Sequence, residues 1–290
     1  MKIFLTLVFG IFISACTSTS EKSAPTPIAN PKEYYGHLPS LQGDYFNIKS
    51  TYVGRDFHIN VRLPLDYQTN NAKTYPVVYV LDGDSLFPLL APTHLFLHYD
   101  EKLPEAIIVG ISYGSFYPII NKRDIDFSAP AIDAAPNEGG APRFLDFLKK
   151  ELIPKIENQF RANTAKRVLV GQSRAGYFVL WSALEDPDLF WARIASNPAL
   201  APGRVRFFES AASHTRKDLK VAIASGTRDT EQRQRNATEW GTTWSSRADA
   251  PWTVNLIKLE GGTHAATIGE TYRRAMLWLF EAEVAAVKVP

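Results

Sequence analysis

The sequence predicts an α/β protein with a mostly parallel central sheet flanked by helices. Three observations carry this expectation. Short, uninterrupted apolar runs end at turn residues, as strands buried on both faces do. Segments with helical spacing of apolar residues lie between them. The two kinds alternate along the chain, and parallel strands need such crossovers to connect. At 290 residues, 45% hydrophobic and 21% charged, the chain is long enough to bury a sizeable core.

The elements follow in order. Residues 45–64, YFNIKSTYVGRDFHINVRLP, alternate apolar and polar over two runs around a Gly-Arg-Asp break, which predicts a hairpin. YPVVYVLDGDSLF carries a continuous apolar run from Val77 to Leu81 that stops at Asp82-Gly83, and AIIVGIS (106–112) is a second buried strand. In RFLDFLKKELIPKIENQF (143–160), Phe144, Phe147, Leu148, Leu152, Ile153 and Ile156 fall near helical spacing, with Pro154 expected to kink or shift the helix. RVLVG (167–171) is a strand and RAGYFVLWSALED (174–186) an apolar helix. ARIASNP (192–198), KVAIASG (220–226) and TVNLIKLEGG (253–262) are further strands, and ETYRRAMLWLFEAEVAAV (270–287) is a closing helix. No internal repeat or linker interrupts residues 44–290, which read as one domain.

Charge and the N-terminus bound the setting. Lys and Arg number 32 against 30 Asp and Glu, a net charge of +2, so nothing in the charge balance suggests a nucleic-acid partner. The start, MKIFLTLVFGIFISACTSTS, has Lys2, an uncharged apolar run from Ile3 to Ile13, then small residues. That is the layout of a secretory signal over residues 1–15. Cys16 is the one cysteine of the chain, and ISAC resembles the lipobox of bacterial lipoproteins, in which the cysteine receives lipid. The alternative is a signal cleaved without lipidation. Residues 16–43, rich in Ser, Thr, Pro and Lys, read as a flexible tether. Thr17 after the cysteine, rather than Asp, resembles lipoproteins of the bacterial cell envelope held on the periplasmic side of the outer membrane. A membrane contact through that lipid is therefore expected, and no protein partner is implied.

The chemistry centres on Gly171-Gln172-Ser173-Arg174-Ala175, which follows the strand RVLV and opens the apolar helix. It departs from G-x-S-x-G by one alanine, with Gly176 next. A sharp strand-to-helix turn forces its central residue into an unfavourable backbone conformation, and small neighbours avoid the clash. The alternative is an ordinary polar residue between two elements. A serine hydroxyl is nearly inert at neutral pH and needs a base within reach and a third group to orient that base. On such a turn the partners follow in the order Asp or Glu, then His. Of six histidines, only His214 and His264 follow Ser173. His214 lies in a polar segment, whereas His264 follows a strand in LEGGTHAAT. His264 is the candidate base. Asp229, just beyond KVAIASG, is the candidate acid, with Glu231 its rival. Charge developing on a carbonyl oxygen needs N–H donors. Arg174 is one candidate, and Asp84 or Ser85 in LDGDS supplies the other.

With these residues in place the chain resembles the esterase family of α/β-hydrolases that groups enterobactin and salmochelin esterases, esterase D-type enzymes, feruloyl esterases and mycolyltransferases. The resemblance spans about residues 44–285. It rests on GRDFHINVRLP, YPVVYVLDGDSLF, IIVGIS, RDIDFSAP, GGAPRFLDFLKKELIPKIENQFR, RVLVGQSRAG and GGTH in this order. It implies the α/β-hydrolase fold and hydrolysis of a small-molecule carboxylic ester by Ser173, His264 and Asp229. Siderophore esters are the most specific substrate it suggests. No metal or organic cofactor is needed for that chemistry. Arg123-Asp124 match the family's R-D segment near the site mouth, so Arg123, with Gln172 beside the serine, is a substrate-binding candidate. With the site so placed, Arg123, Arg174 and Arg228 fall near it, either to favour an anionic substrate or solvated or paired with Asp124, Asp229 and Glu231. Three departures stand out. Ala175 replaces glycine, Asn197-Pro198-Ala199 replaces a Ser-Pro-Ser-type stretch at the pocket wall, and polar 200–218 reads as either a cap or a surface helix. The alternatives are an acyltransferase using the same three residues and a non-catalytic, ligand-binding lipoprotein on a hydrolase scaffold.

Overall fold

The computed structural model describes residues 38–130 and 139–288. The signal segment, Cys16 and the tether up to residue 37 lie outside the described residues. Eight strands form one sheet in the order β1-β2-β4-β3-β5-β6-β7-β8. They are β1 Gly43–Lys49, β2 Asp56–Arg62, β3 Tyr75–Val80, β4 Ile107–Ser112, β5 Ala162–Gln172, β6 Ala192–Ser196, β7 Leu219–Gly226 and β8 Trp252–Leu259. The expected hairpin is β1 against β2, and β2 pairs antiparallel with β4. Every pairing from β4 across to β8 is parallel.

The apolar runs are continuous because the sheet is covered on both faces. Val77, Tyr79 and Leu81 enter one hydrophobic cluster and Val78 and Val80 the other, as the two-residue period of a strand requires. One face is covered by α1 (Gly83–Glu101), α7 (Ile268–Leu279) and α8 (Glu281–Lys288). The other is covered by α3 (Ala141–Phe147), α4 (Ile153–Gln159), α5 (Arg174–Glu185) and α6 (Glu231–Ser246). The short α2 (Arg123–Asp126) lies between β4 and α3.

Three expected elements take a different form. The helix expected over 143–160 is α3 and α4 joined by a π turn, Leu148–Leu152. Pro154 lacks an N–H and its ring crowds the preceding turn, and the widened π turn accommodates it. The closing helix is two, because the chain leaves helical geometry at Phe280 (φ −109°, ψ 27°), whose ring packs 5.2 Å from Trp191. Segment 200–218 has a short 3₁₀ turn, Arg204–Phe208, as its regular structure, where a cap or a surface helix was expected. Its Phe207 is buried against Tyr177 of α5 at 4.7 Å, and the Trp244 indole N–H of α6 donates to the Phe207 carbonyl at 2.9 Å.

Candidate active site

Parallel strands deliver their C-terminal ends to one edge of the sheet, and the loops there carry the candidate residues. Ser173 sits between β5 and α5 with φ 57° and ψ −112°, a conformation that costs a non-glycine residue about 1–3 kcal/mol. The surroundings hold it there. Its N–H donates to Ser196 O at 2.9 Å, and its carbonyl accepts from Ala199 N–H at 3.0 Å. The small residues of the turn have a direct steric cause. A Cβ on Gly171 would stand 2.6 Å from Ala175 O, and one on Gly176 would stand 3.2 Å from Pro198. Ala175 is fully buried, so its methyl fits where the motif usually has glycine.

His264 follows β8 on a loop opened by Gly261, whose φ of +72° is the left-handed region. Asp229 follows β7, 1% exposed at its side chain. The three side chains meet in one line. His264 Nδ1 lies 2.7 Å from Asp229 Oδ2, and His264 Nε2 lies 3.0 Å from Ser173 Oγ. A carboxylate only accepts, so Nδ1 carries the proton and Nε2 is left to accept from the serine hydroxyl. Asp229 Oδ1 accepts from Thr230 N–H at 2.7 Å and stands 3.5 Å from Arg233 Nη1. Glu231 is not part of this line. Its side chain is 89% exposed and pairs with Arg235 across one turn of α6.

Asp84 and Ser85, in the first turn of α1, line the same cleft as Ser173 and His264. Their backbones differ. Ser85 N–H is spent on Asp82 O at 3.0 Å, whereas the N–H groups of Asp84 and Arg174 donate to no group among the described residues. The Asp84 carboxylate accepts from the N–H groups of Tyr113 (2.8 Å) and Gly114 (2.7 Å), tying α1 to the loop after β4. Burial raises its pKa above the ordinary carboxylate value despite those two donors.

Arg123 lines the cleft and is bound by both oxygens of Asp82, Nε and Nη2 each at 2.8 Å. Burial pulls its pKa down, but the hydrogen bonds and charge of Asp82 outweigh that and raise it. Arg174 donates to Ala201 O and lies over Tyr177. Arg228 is exposed and its guanidinium joins no pair among the described residues. Gln172 also lines the cleft, but its amide is engaged: it donates to His264 O at 2.5 Å and Ala265 O at 3.1 Å.

Asn197, expected at the pocket wall, is fully buried beneath the site. Its amide N–H₂ donates to His264 O and to Ser196 Oγ, both at 3.2 Å. Its Oδ1 accepts from Gly226 N–H at 2.9 Å, three residues before Asp229, and its own N–H donates to Ala224 O at 2.8 Å. With Ser196 O and Ala199 N–H on the backbone of Ser173, residues 196–199 touch all three loops. Sequence reading missed this role, as it missed Asp82, Phe116 and Asn121 on the cleft wall. The cleft holds about 250 Å³. A larger one, about 370 Å³, lies among Pro39–Tyr45, Asn60 and Leu63–Gln68. It contains none of these groups, and chemistry rather than size selects the site. Among the described residues no cluster of three or more His, Cys, Asp or Glu is arranged to hold a metal ion.

The strand order and the strained serine between β5 and α5 define an α/β-hydrolase fold. Residues 50–274 match the family model Esterase, described as "Putative esterase", and the chain belongs to that family. It is 31% identical over 142 residues to ferri-bacillibactin esterase BesA of Bacillus subtilis, covering 43% of this chain and 48% of that one. It is 29% identical over 190 residues to the siderophore triacetylfusarinine C esterase of Aspergillus fumigatus, covering 62% and 59%. The matched segments thus span about half the length of these relatives. The solved structure of the BES protein from Bacillus cereus superposes with a TM-score of 0.70 at 22% identity, covering 81% of this chain and 94% of that one, and shares the fold.

Proposed function

We propose that the protein is a serine carboxylic-ester hydrolase. The observation that carries this reading is the Ser173–His264–Asp229 line, at 3.0 and 2.7 Å, on a serine held at φ 57°. In this mechanism Ser173 Oγ attacks the ester carbonyl while its proton passes to His264 Nε2. Asp229 holds the ring and stabilises the imidazolium that forms. The oxyanion takes N–H bonds from Arg174 and Asp84, whose N–H groups donate to no group among the described residues. Collapse breaks the ester C–O bond, and His264 returns the proton to the departing alcohol. Water, deprotonated by His264, then attacks the acyl-serine, and the acid leaves as Ser173 recovers its proton.

For substrate we propose siderophore or related esters, supported by relatives named for ferri-bacillibactin and triacetylfusarinine C. A lipid on Cys16, holding the enzyme at the periplasmic side of an outer membrane, belongs to the same proposal and rests on the sequence of residues 1–17. Loss of metabolic palmitate labelling in Cys16→Ala is its check.

The test of the hydrolase is p-nitrophenyl acetate and butyrate turnover by wild type and Ser173→Ala. Wild type turns over, and the variant falls by about 10³-fold or more with its fold intact. A folded Ser173→Ala that keeps the wild-type rate refutes the reading.

A further inference from the structure

The loop from β4 to α2 reads YGSFYPIINK over residues 113–122, and much of its apolar surface lies outside the core. Phe116, Tyr117, Ile119 and Ile120 are 53–81% exposed, and three of them are the most exposed large hydrophobics among the described residues. The loop is nonetheless well tied. Tyr117 N–H donates to Ser115 Oγ at 3.0 Å and Asn121 Nδ2 to Ser115 O at 3.0 Å. The N–H groups of Ile120 and Asn121 both donate to Tyr117 O, at 2.9 and 2.8 Å. At its ends, Tyr113 and Gly114 are held by Asp84, and Arg123 by Asp82. Part of the backbone is thus tied internally while the apolar side chains face water.

A concentration of exposed apolar surface on a folded protein marks something that binds. Its position says what. Phe116 and Asn121 line the cleft that holds Ser173 and His264. That cleft, about 250 Å³, is smaller than the pockets that enclose most small-molecule ligands, about 300–1,000 Å³. An ester with its carbonyl at Ser173 therefore leaves part of itself outside, over the rim. The cleft's guanidinium is already bound by Asp82, and Lys122 Nζ donates to Pro118 O at 2.8 Å. What the rim offers is apolar contact.

We propose that Phe116–Ile120 bind the hydrophobic portion of the ester presented to Ser173, so that the site favours esters bearing an extended apolar group. This rests on the hydrolase reading above. The test uses the full chain, p-nitrophenyl acetate and octanoate, and the variants Phe116→Ser, Ile119→Ser and their double. The octanoate-to-acetate ratio of kcat/KM falls about 10-fold in the double variant, mainly through the KM for octanoate. The unfolding temperature holds, since the side chains removed are exposed. A double variant whose ratio stays within about twofold of wild type overturns the proposal. Loss of flotation with anionic liposomes, with that ratio unchanged, also overturns it and reassigns the rim to a membrane surface. A wild type inert toward both esters, or a Ser173→Ala as active as wild type, brings down the hydrolase reading and the rim with it. An active wild type with an unmoved ratio brings down the rim alone.

Discussion

Asn197 is the residue through which the loops of the site hold one another, and its removal has a calculable consequence. In Asn197→Ala, Gly226 N–H loses its acceptor at 2.9 Å inside the protein, and an orphaned buried donor costs about 1–3 kcal/mol. Asn197 has φ +43°, a region that costs alanine about 1–2 kcal/mol. Together these predict a loss of about 2–5 kcal/mol in urea unfolding. Asn197→Gly removes the same amide without the backbone penalty and should recover about 1 kcal/mol of that loss. Activity separates from stability here. Both variants remove one of the two side chains that hold the His264 carbonyl, leaving Gln172. A base displaced by a fraction of an ångström to 1 Å costs about 10–100-fold in kcat. KM for p-nitrophenyl butyrate should stay within about twofold, because Asn197 does not line the cleft. Two results refute the reasoning: kcat near wild type in both variants, or kcat restored in Asn197→Gly, which would trace the whole effect to backbone strain.

Two further predictions rest on separate features. Gly171→Ala places a Cβ 2.6 Å from a backbone oxygen of α5, so it should cost about 2–4 kcal/mol of stability. An unfolding midpoint like that of wild type would show that the turn yields more than its packing suggests. His94 is fully buried between Tyr272 OH (2.8 Å) and Pro104 O (3.0 Å), and burial lowers its pKa to about 4. The unfolded chain, with a histidine near 6.5, binds the proton first as pH falls. The stability tied to neutral His94 is therefore complete above about pH 6.5 and is lost as pH falls toward about 4. Between pH 7 and 4.5 the loss is about 2–3 kcal/mol. Urea unfolding of wild type and His94→Gln at both pH values should show that much less acid sensitivity in the variant, and equal sensitivity would refute the assignment.

The legible parts of this protein are those in which function depends on short-range pattern. The buried strands announce themselves because a sheet covered on both faces needs apolar residues without interruption, as in Val77–Leu81. The candidate nucleophile is legible because a strained turn between strand and helix admits only small neighbours, and Gly171, Ala175 and Gly176 supply them within six residues. The order serine, acid, histidine follows from strand succession, so Asp229 and His264 could be proposed from their places after β7 and β8. Two helices were missed for local reasons. In α1, Pro88 and Pro92 sit inside the helix and read as breakers. In α6, a polar sequence hides the stripe Ala237, Trp240, Gly241 and Trp244, whose tryptophans pack with Trp252 of β8.

By itself, then, the sequence determined the class of fold, the turn that carries Ser173 and the loops that carry its partners. The tertiary structure alone decided how those loops are held and what faces the cleft. Arg123 reaches Asp82 across 41 residues, Asn197 reaches His264 across 67, and Gln172 reaches it across 92. These contacts depend on which strands lie side by side and which way each loop leaves the sheet. A side chain's local sequence carries no trace of that. The same cause made Asn197 a buried tie between loops rather than part of a pocket wall.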